Sequence, residues 1–427
     1  MYARINVNIN FISPDRYFTM LHIPPELCIE CRGTKALCGL AYCPVMVKMK
    51  IKPLTLNISS EIQGSSPPSV FVGRIGYPKV MVGPMLPPIF DDTTSYDMPE
   101  LWQNYKLDDI LHFRLSLVRG TTLVDVKDAK KETGIIPSMQ ELAMADKPVD
   151  SDMLLKKDPT KTVHLNEHIP PFGPSGQMFK FNVSGNVSVD QRIEKAYYDR
   201  DLKAGEAVVQ LYQKSVPLSK IQRSFSVGSF GKARRLVPTR WSITAVDDIT
   251  SKSLIERVKM QQEIGEFLVY TRKIHMNVFT AIVIPGVWGF EWIEAWFPNT
   301  TWNLMQYGDP AMMGDNEGYT GIDHYAKVGG CYYSARLTAA EMLNRLQRQG
   351  TVLMLREIYP GFNIPLGVWF VREQLRAMLD SRPYRFGSIE KALEFALNNL
   401  TIPIHKWIAK SRILQDTMYQ KKIIEYT

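Results

Sequence analysis

Four of the five cysteines in this 427-residue chain lie in one short segment, Cys28-Ile-Glu-Cys31 followed by Cys38 and Cys43. Thiolates are soft ligands. A pair separated by two residues can meet one cation through a tight turn, and a second pair can then close the shell. Gly33 and Gly39 supply backbone freedom for such turns. Disulfides are the competing reading, but the rest of the chain carries only Cys331 and looks intracellular. The pattern therefore predicts a metal site built from Cys28, Cys31, Cys38 and Cys43. Zinc is the expected metal. The wider second spacing and the Cys43-Pro44 ending leave an iron-sulfur cluster as the alternative. Catalytic zinc does not fit, because four thiolates leave no open position for water.

A second group with chemical potential is Lys232, Arg234, Arg235 and Arg240 with Trp241. The arginines could hold phosphates while Trp241 stacks on a base, as on single-strand binding surfaces. The competing reading is a solvated basic turn whose tryptophan belongs to the core. Lys232 follows Gly231 as in a phosphate loop, yet the glycine spacing and the following Ser or Thr are missing, so nucleotide hydrolysis by that route is not indicated. A net charge of +8 and a pI near 9.0 agree with a polyanionic partner such as DNA.

Asp309, Asp315, Glu317, Asp323 and His324 crowd a Gly-rich stretch. With Asp247 and Asp248 they define a rival class, a metal-dependent nuclease or phosphodiesterase whose carboxylates gather one or two cations. His164-Leu-Asn-Glu167-His168 spells the H-x-x-E-H pattern of inverted zincins. It runs directly into Pro170 and Pro171, which leave no room for the required helix, so a protease is not expected.

The elements that must position these residues follow from periodicity and turn residues. The amino terminus lacks the apolar h-region of a secretory signal. The longest apolar run, Phe279 to Phe290, is broken by Pro285 and Gly286 and is too short to span a bilayer. A cytoplasmic protein without a membrane partner is expected. Val45 to Leu56 suits a strand, and Val70 to Pro84 reads as strand-turn-strand. Gly134 to Gly176 reads as a long irregular excursion, and Val189 to Tyr212 as a helical pair. Three runs, Gly265 to Lys273, His275 to Ile284 and Gly289 to Phe297, predict an antiparallel meander. Thr338-Ala-Ala-Glu341 reads as a capping box opening a helix, Val352 to Ile358 as a strand, and Val371 to Leu379 and Ile389 to Leu400 as helices. The expected fold class is α+β: a mixed, antiparallel-rich sheet body with helices, preceded by a small four-cysteine module.

Several long strings together make the chain resemble the archaeal Nre DNA-repair family along nearly its whole length. They are Cys38-Gly-Leu-Ala-Tyr-Cys43-Pro44, Phe71-Val-Gly-Arg-Ile-Gly-Tyr-Pro-Lys-Val, Phe172-Gly-Pro-Ser175 and Leu236-Val-Pro-Thr-Arg-Trp-Ser-Ile-Thr-Ala-Val-Asp-Asp248. The resemblance implies a cytosolic archaeal protein with a zinc finger, a role in DNA damage repair, and contact with the PCNA sliding clamp through a carboxyl-terminal peptide. It also sets the expected domains: residues 1–52 with the cysteine module, 53–305, 306–410, and a tail at 411–427. The tail can carry that peptide. Gln420 would enter a polar pocket, Ile423 and Tyr426 would plug an apolar one, and Thr427 stands where a second aromatic is usual. The leading expectation is thus a clamp-recruited repair factor; the rivals are the carboxylate enzyme and a purely structural adaptor.

Overall fold

The structure is a computed structural model that describes residues 23–33, 35, 37–39, 43, 45, 58–160, 171–184, 186–362 and 366–419. The chain divides into two compact units, one of Met1–Pro14 with Met46–Thr250 and the other of Asp15–Val45 with Ser251–Thr427. Each is α+β and each holds one six-stranded mixed sheet.

In the first unit β1 (Glu61–Ser66), β2 (Val70–Val72), β3 (Lys79–Leu86), β4 (Val118–Asp125), β5 (Val149–Leu155) and β6 (Ser175–Val183) lie in the order β1-β5-β6-β4-β3-β2. β4 and β6 run parallel, and the other pairs are antiparallel. Alternation along β5 turns Val149, Ser151, Met153 and Leu155 inward. Val80, Val82, Met153 and Phe181 pack in one core with Ile136, Met139 and Leu142 of the helix Ile135–Met144. On the opposite face Met81, Leu123 and Phe179 are exposed. The strand-turn-strand expected at Val70 to Pro84 is present as β2 and β3, and the helical pair as Gln191–Tyr198 and Ala204–Gln213.

The irregular excursion expected from Gly134 to Gly176 is corrected, because this stretch holds the helix Ile135–Met144, all of β5 and the start of β6. Pro137 does not interrupt this helix, because it sits in the first turn, where its missing N–H costs nothing. β3 and β4 approach closely at Gly83, where an added Cβ would lie 2.0 Å from the Gly120 carbonyl oxygen. Gly83→Ala should therefore destabilise the unit toward the upper end of the ~1–3 kcal/mol typical of overpacking, read as a lower urea midpoint.

The second unit carries β7 (Phe267–Ile274), β8 (Asn277–Ile284), β9 (Gly289–Trp296), β10 (Ala311–Glu317), β11 (Thr351–Ile358) and β12 (Tyr384–Phe386) in the order β10-β9-β11-β8-β7-β12. The first three strands fall where expected, but the meander does not form: β8 and β9 are separated by β11, which pairs antiparallel with β8 and parallel with β9. Both β8 and β9 are buried along their whole length, as central strands must be, and each needs a partner on both edges. Helices cover both faces. Ile282, Ile293 and Leu353 share a core with Leu393, Trp407 and Leu414, while Phe290 meets Tyr332 and Phe279 meets Phe370 on the other side.

The expected capping box at Thr338 is also corrected. The helix runs Gly330–Leu346, so Thr338 is interior and its hydroxyl donates to the Ala335 carbonyl at 2.8 Å. Arg336, 1% exposed, pairs with Glu317 at 2.9 Å, which lets a charged residue lie within the buried helix before Thr338. The helix Ile389–Leu397 does begin at Ser388, whose side chain accepts from the Lys391 N–H. Among the described residues no helix is long and apolar enough to cross a membrane.

Candidate functional site

Three of the strings that carry the resemblance meet in the first unit. The Val72 N–H at the β2 edge donates to Thr239 Oγ1 at 2.9 Å, tying the hairpin to the start of the helix Thr239–Val258. Ser226 Oγ lies 3.3 Å from Thr239 Oγ1 and donates to the Val237 carbonyl at 2.7 Å, fixing the chain that leads into that helix. The Phe71 and Phe172 rings stand 5.2 Å apart. Tyr77, at the β2–β3 turn, packs on Trp241 with ring centroids 5.4 Å apart, and the two are 48% and 44% exposed. Gly76 makes this turn possible with a φ of 85°. The outcome is an aromatic pair held on a rigid edge and open to solvent, a shape suited to stacking.

The basic candidates divide around this pair. Lys232, Arg235 and Trp241 are exposed and Arg240 is partly exposed next to Trp241. Arg234 is placed otherwise. It is only 5% exposed, its guanidinium donates to the Tyr197 carbonyl, and it lies 4.7 Å over the Tyr197 ring. Burial, followed by the neighbouring charge of Arg200, pushes its pKa down. Arg234 therefore braces the helix Gln191–Tyr198. Tyr77 is absent from the sequence-derived candidates; its signals are its place between Gly76 and Pro78 and its membership of the string that begins at Phe71.

The carboxylates are engaged locally. Asp247, in the first unit, accepts from the Gln222 amide at 2.9 Å. In the second unit Glu317 is held by Arg336, Trp288 and Tyr332, and Asp309 pairs with Lys406 at 2.6 Å. Asp315 accepts the Lys327 N–H at 2.9 Å and faces His324 Nε2 at 3.1 Å, while Asp323 meets His324 Nδ1 at 2.9 Å. Among the described residues no three or more His, Cys, Asp or Glu form a group able to hold a metal ion. Hydrogen bonds to Asp323 and then Asp315 raise the His324 pKa above its usual value. The stabilisation from His324 is therefore complete below the unfolded pKa and is lost as pH rises through the folded one. In an NMR titration Asp323→Asn should lower the His324 midpoint, and an unmoved midpoint would show that this contact does not set it.

The cysteine segment belongs to the second unit. Cys28 and Cys31 lie on the short helix Pro25–Cys31, which ends at Arg32 with a left-handed φ of 46°. Burial, and then the proximity of Cys43, Cys31 and Cys38, pushes the Cys28 thiol up to about 11. Among the described residues the four cysteines are not gathered into a group able to hold a metal ion. Their chemistry suits a soft divalent cation, whose charge would offset the mutual repulsion of the thiolates. Arg32 anchors the segment. Its guanidinium donates to Glu294 and to the Ile29 carbonyl, and reaches Cys331 Sγ at 3.4 Å.

Family comparison matches residues 37–303 to "Archaeal Nre, N-terminal" and residues 317–426 to "Archaeal Nre, C-terminal". The chain belongs to the archaeal Nre family. It is 42% identical to the DNA repair protein NreB of Archaeoglobus fulgidus over 91% of this chain and 97% of that protein. It is 35% identical to the DNA repair protein NreA of the same organism over 86% of this chain and 92% of the relative. With the DNA repair protein NreA of Haloferax volcanii the identity is 32% over 74% and 77%. No solved structure matches. In this Nre chain the expected clamp-binding residues Gln420, Ile423, Tyr426 and Thr427, and the His164–His168 pattern, lie outside the described residues.

Proposed function

We propose that this protein is a DNA-repair factor, brought to the PCNA sliding clamp by its carboxyl-terminal peptide and contacting DNA at the Tyr77–Trp241 surface and its flanking cations. The repair role rests on one observation above the others, the 42% identity that extends over 97% of a DNA repair protein. The exposed aromatic pair supports the DNA contact, because it offers a face to a base beside Arg240. Cys28, Cys31, Cys38 and Cys43 hold zinc in this reading, which elemental analysis and the absence of a cluster absorption band would distinguish from iron and sulfur. A cytoplasmic location completes it.

Deleting residues 420–427 should abolish co-elution with PCNA and leave the melting temperature unchanged; co-elution by the truncated protein would remove the recruitment claim. Trp241→Ala should weaken single-stranded DNA binding by about 1–3 kcal/mol in fluorescence anisotropy. Arg235→Gln should lower the slope of log K against log salt by about 0.7. Unaltered binding in both variants would place the DNA contact elsewhere.

A further inference from the structure

The outer face of the first unit's sheet carries a cation that its own fold leaves unanswered. Arg119 of β4 lies 4.0 Å over the Phe71 ring and 5.6 Å over that of Phe172. Among the described residues its one side-chain hydrogen bond is from Nη2 to the Met81 carbonyl at 3.2 Å, and its Nε is buried with no partner. Among the described residues no carboxylate faces it, and burial alone pushes its pKa down to about 9. Beside it Gly73 has no side chain to fill the space, and a Cβ there would lie 3.6 Å from Nη2. A guanidinium desolvated between two aromatic rings and lacking a counter-charge favours an anionic ligand.

The surroundings on this face specify the anion further. Met81 is paired directly with Leu123, and the parallel ladder from Arg119↔Ser175 to Thr121↔Gln177 leads toward Leu123 on β4 and Phe179 on β6. Met81, Leu123 and Phe179 are 38%, 60% and 69% exposed, an apolar run across three adjacent strands. An inorganic ion would use the arginine and have no need of these side chains. A strand of DNA uses both, setting a phosphate on the guanidinium and laying bases on Phe179 and its neighbours.

We propose that this face is a second nucleic-acid site, in which Arg119 holds a backbone phosphate of single-stranded DNA and Phe179 stacks a base. The inference rests on the reading of the protein as a DNA-contacting factor and adds a surface separate in sequence from Trp241. The test is anisotropy of a labelled oligothymidylate with the full chain at several salt concentrations, together with sedimentation velocity. Phe179→Ala should weaken binding about tenfold with unchanged melting. Arg119→Gln should reduce the salt slope by about 0.7. Should Arg119→Gln fail to fold, Leu123→Ala, also at an exposed position, takes its place and should weaken binding. Loss of binding in Trp241→Ala alone would overturn the second site and leave the first reading standing. Wild-type protein that does not bind the oligonucleotide overturns it as well, with PCNA co-elution still testing recruitment separately. A dimer that dissociates in Phe179→Ala while DNA binding is unaltered would show the face to be covered by a second copy of the chain.

Discussion

Glu294→Ala should destabilise the second unit by about 3–5 kcal/mol in urea denaturation, because it strands two buried cations at once. Glu294 is completely buried on β9 and pairs with Arg32 on one oxygen and with Arg356 at 3.0 Å on the other. Arg356 is braced by Asn277 at 2.9 Å and lies over the Phe279 and Trp296 rings, so it cannot swing out to water. Trp296 Nε1 also faces the carboxylate at 3.3 Å. Burial pushes the Glu294 pKa up, but Arg32 and Arg356 together outweigh it and hold the carboxyl below its usual range. Its contribution is therefore present above the unfolded pKa and disappears as pH falls through the lower folded value. Glu294→Gln keeps the shape and removes the charge, so it should flatten that acid limb while destabilising at neutral pH. An alanine variant within 1 kcal/mol of the wild type at neutral pH would mean that the two arginines find other partners.

What the sequence disclosed was mostly local. β7, β8 and β9 were legible because each is a continuous β-rich run between turn residues, and the helix at Ile389 because Ser388 and an apolar stripe announce it. The partners of those strands were not legible. β8 and β9 are equally buried and close in sequence, yet β11, which follows the helix Gly330–Leu346 in the chain, lies between them, and no local pattern encodes that insertion. The candidate interface behaves alike. Trp241 and its arginines stood out by residue type, whereas Tyr77 and Arg119 gain their meaning from contacts with residues far along the chain. Arg234 looked like its neighbours until its burial against Tyr197 set it apart. Glu317 and Asp315 resembled metal ligands for the same reason: composition shows which charges are present and not which of them are already neutralised.

Withdrawing zinc, on the reading that the four thiols hold it, should weaken the second unit as well as the cysteine segment. Arg32 follows Cys31 directly, its N–H donates to the Cys28 carbonyl at 2.8 Å, and its Nε donates to the Ile29 carbonyl at 3.0 Å. Ligand residues and anchor therefore share a single turn of chain, whose guanidinium reaches a glutamate 262 residues away. A cation that fixes the geometry of Cys28 and Cys31 also presents Arg32 to Glu294, and without it that ion pair must order the turn by itself. At free zinc a thousandfold above Kd, the linkage amounts to about 4 kcal/mol. Chelation or Cys31→Ser should then lower the urea midpoint together with the bound metal measured by elemental analysis. In an Arg32→Ala background the same chelation should cost the second unit much less, since the link between metal and core has been cut. Equal losses in both backgrounds would show that the metal stabilises its own loop alone, with Arg32 contributing independently.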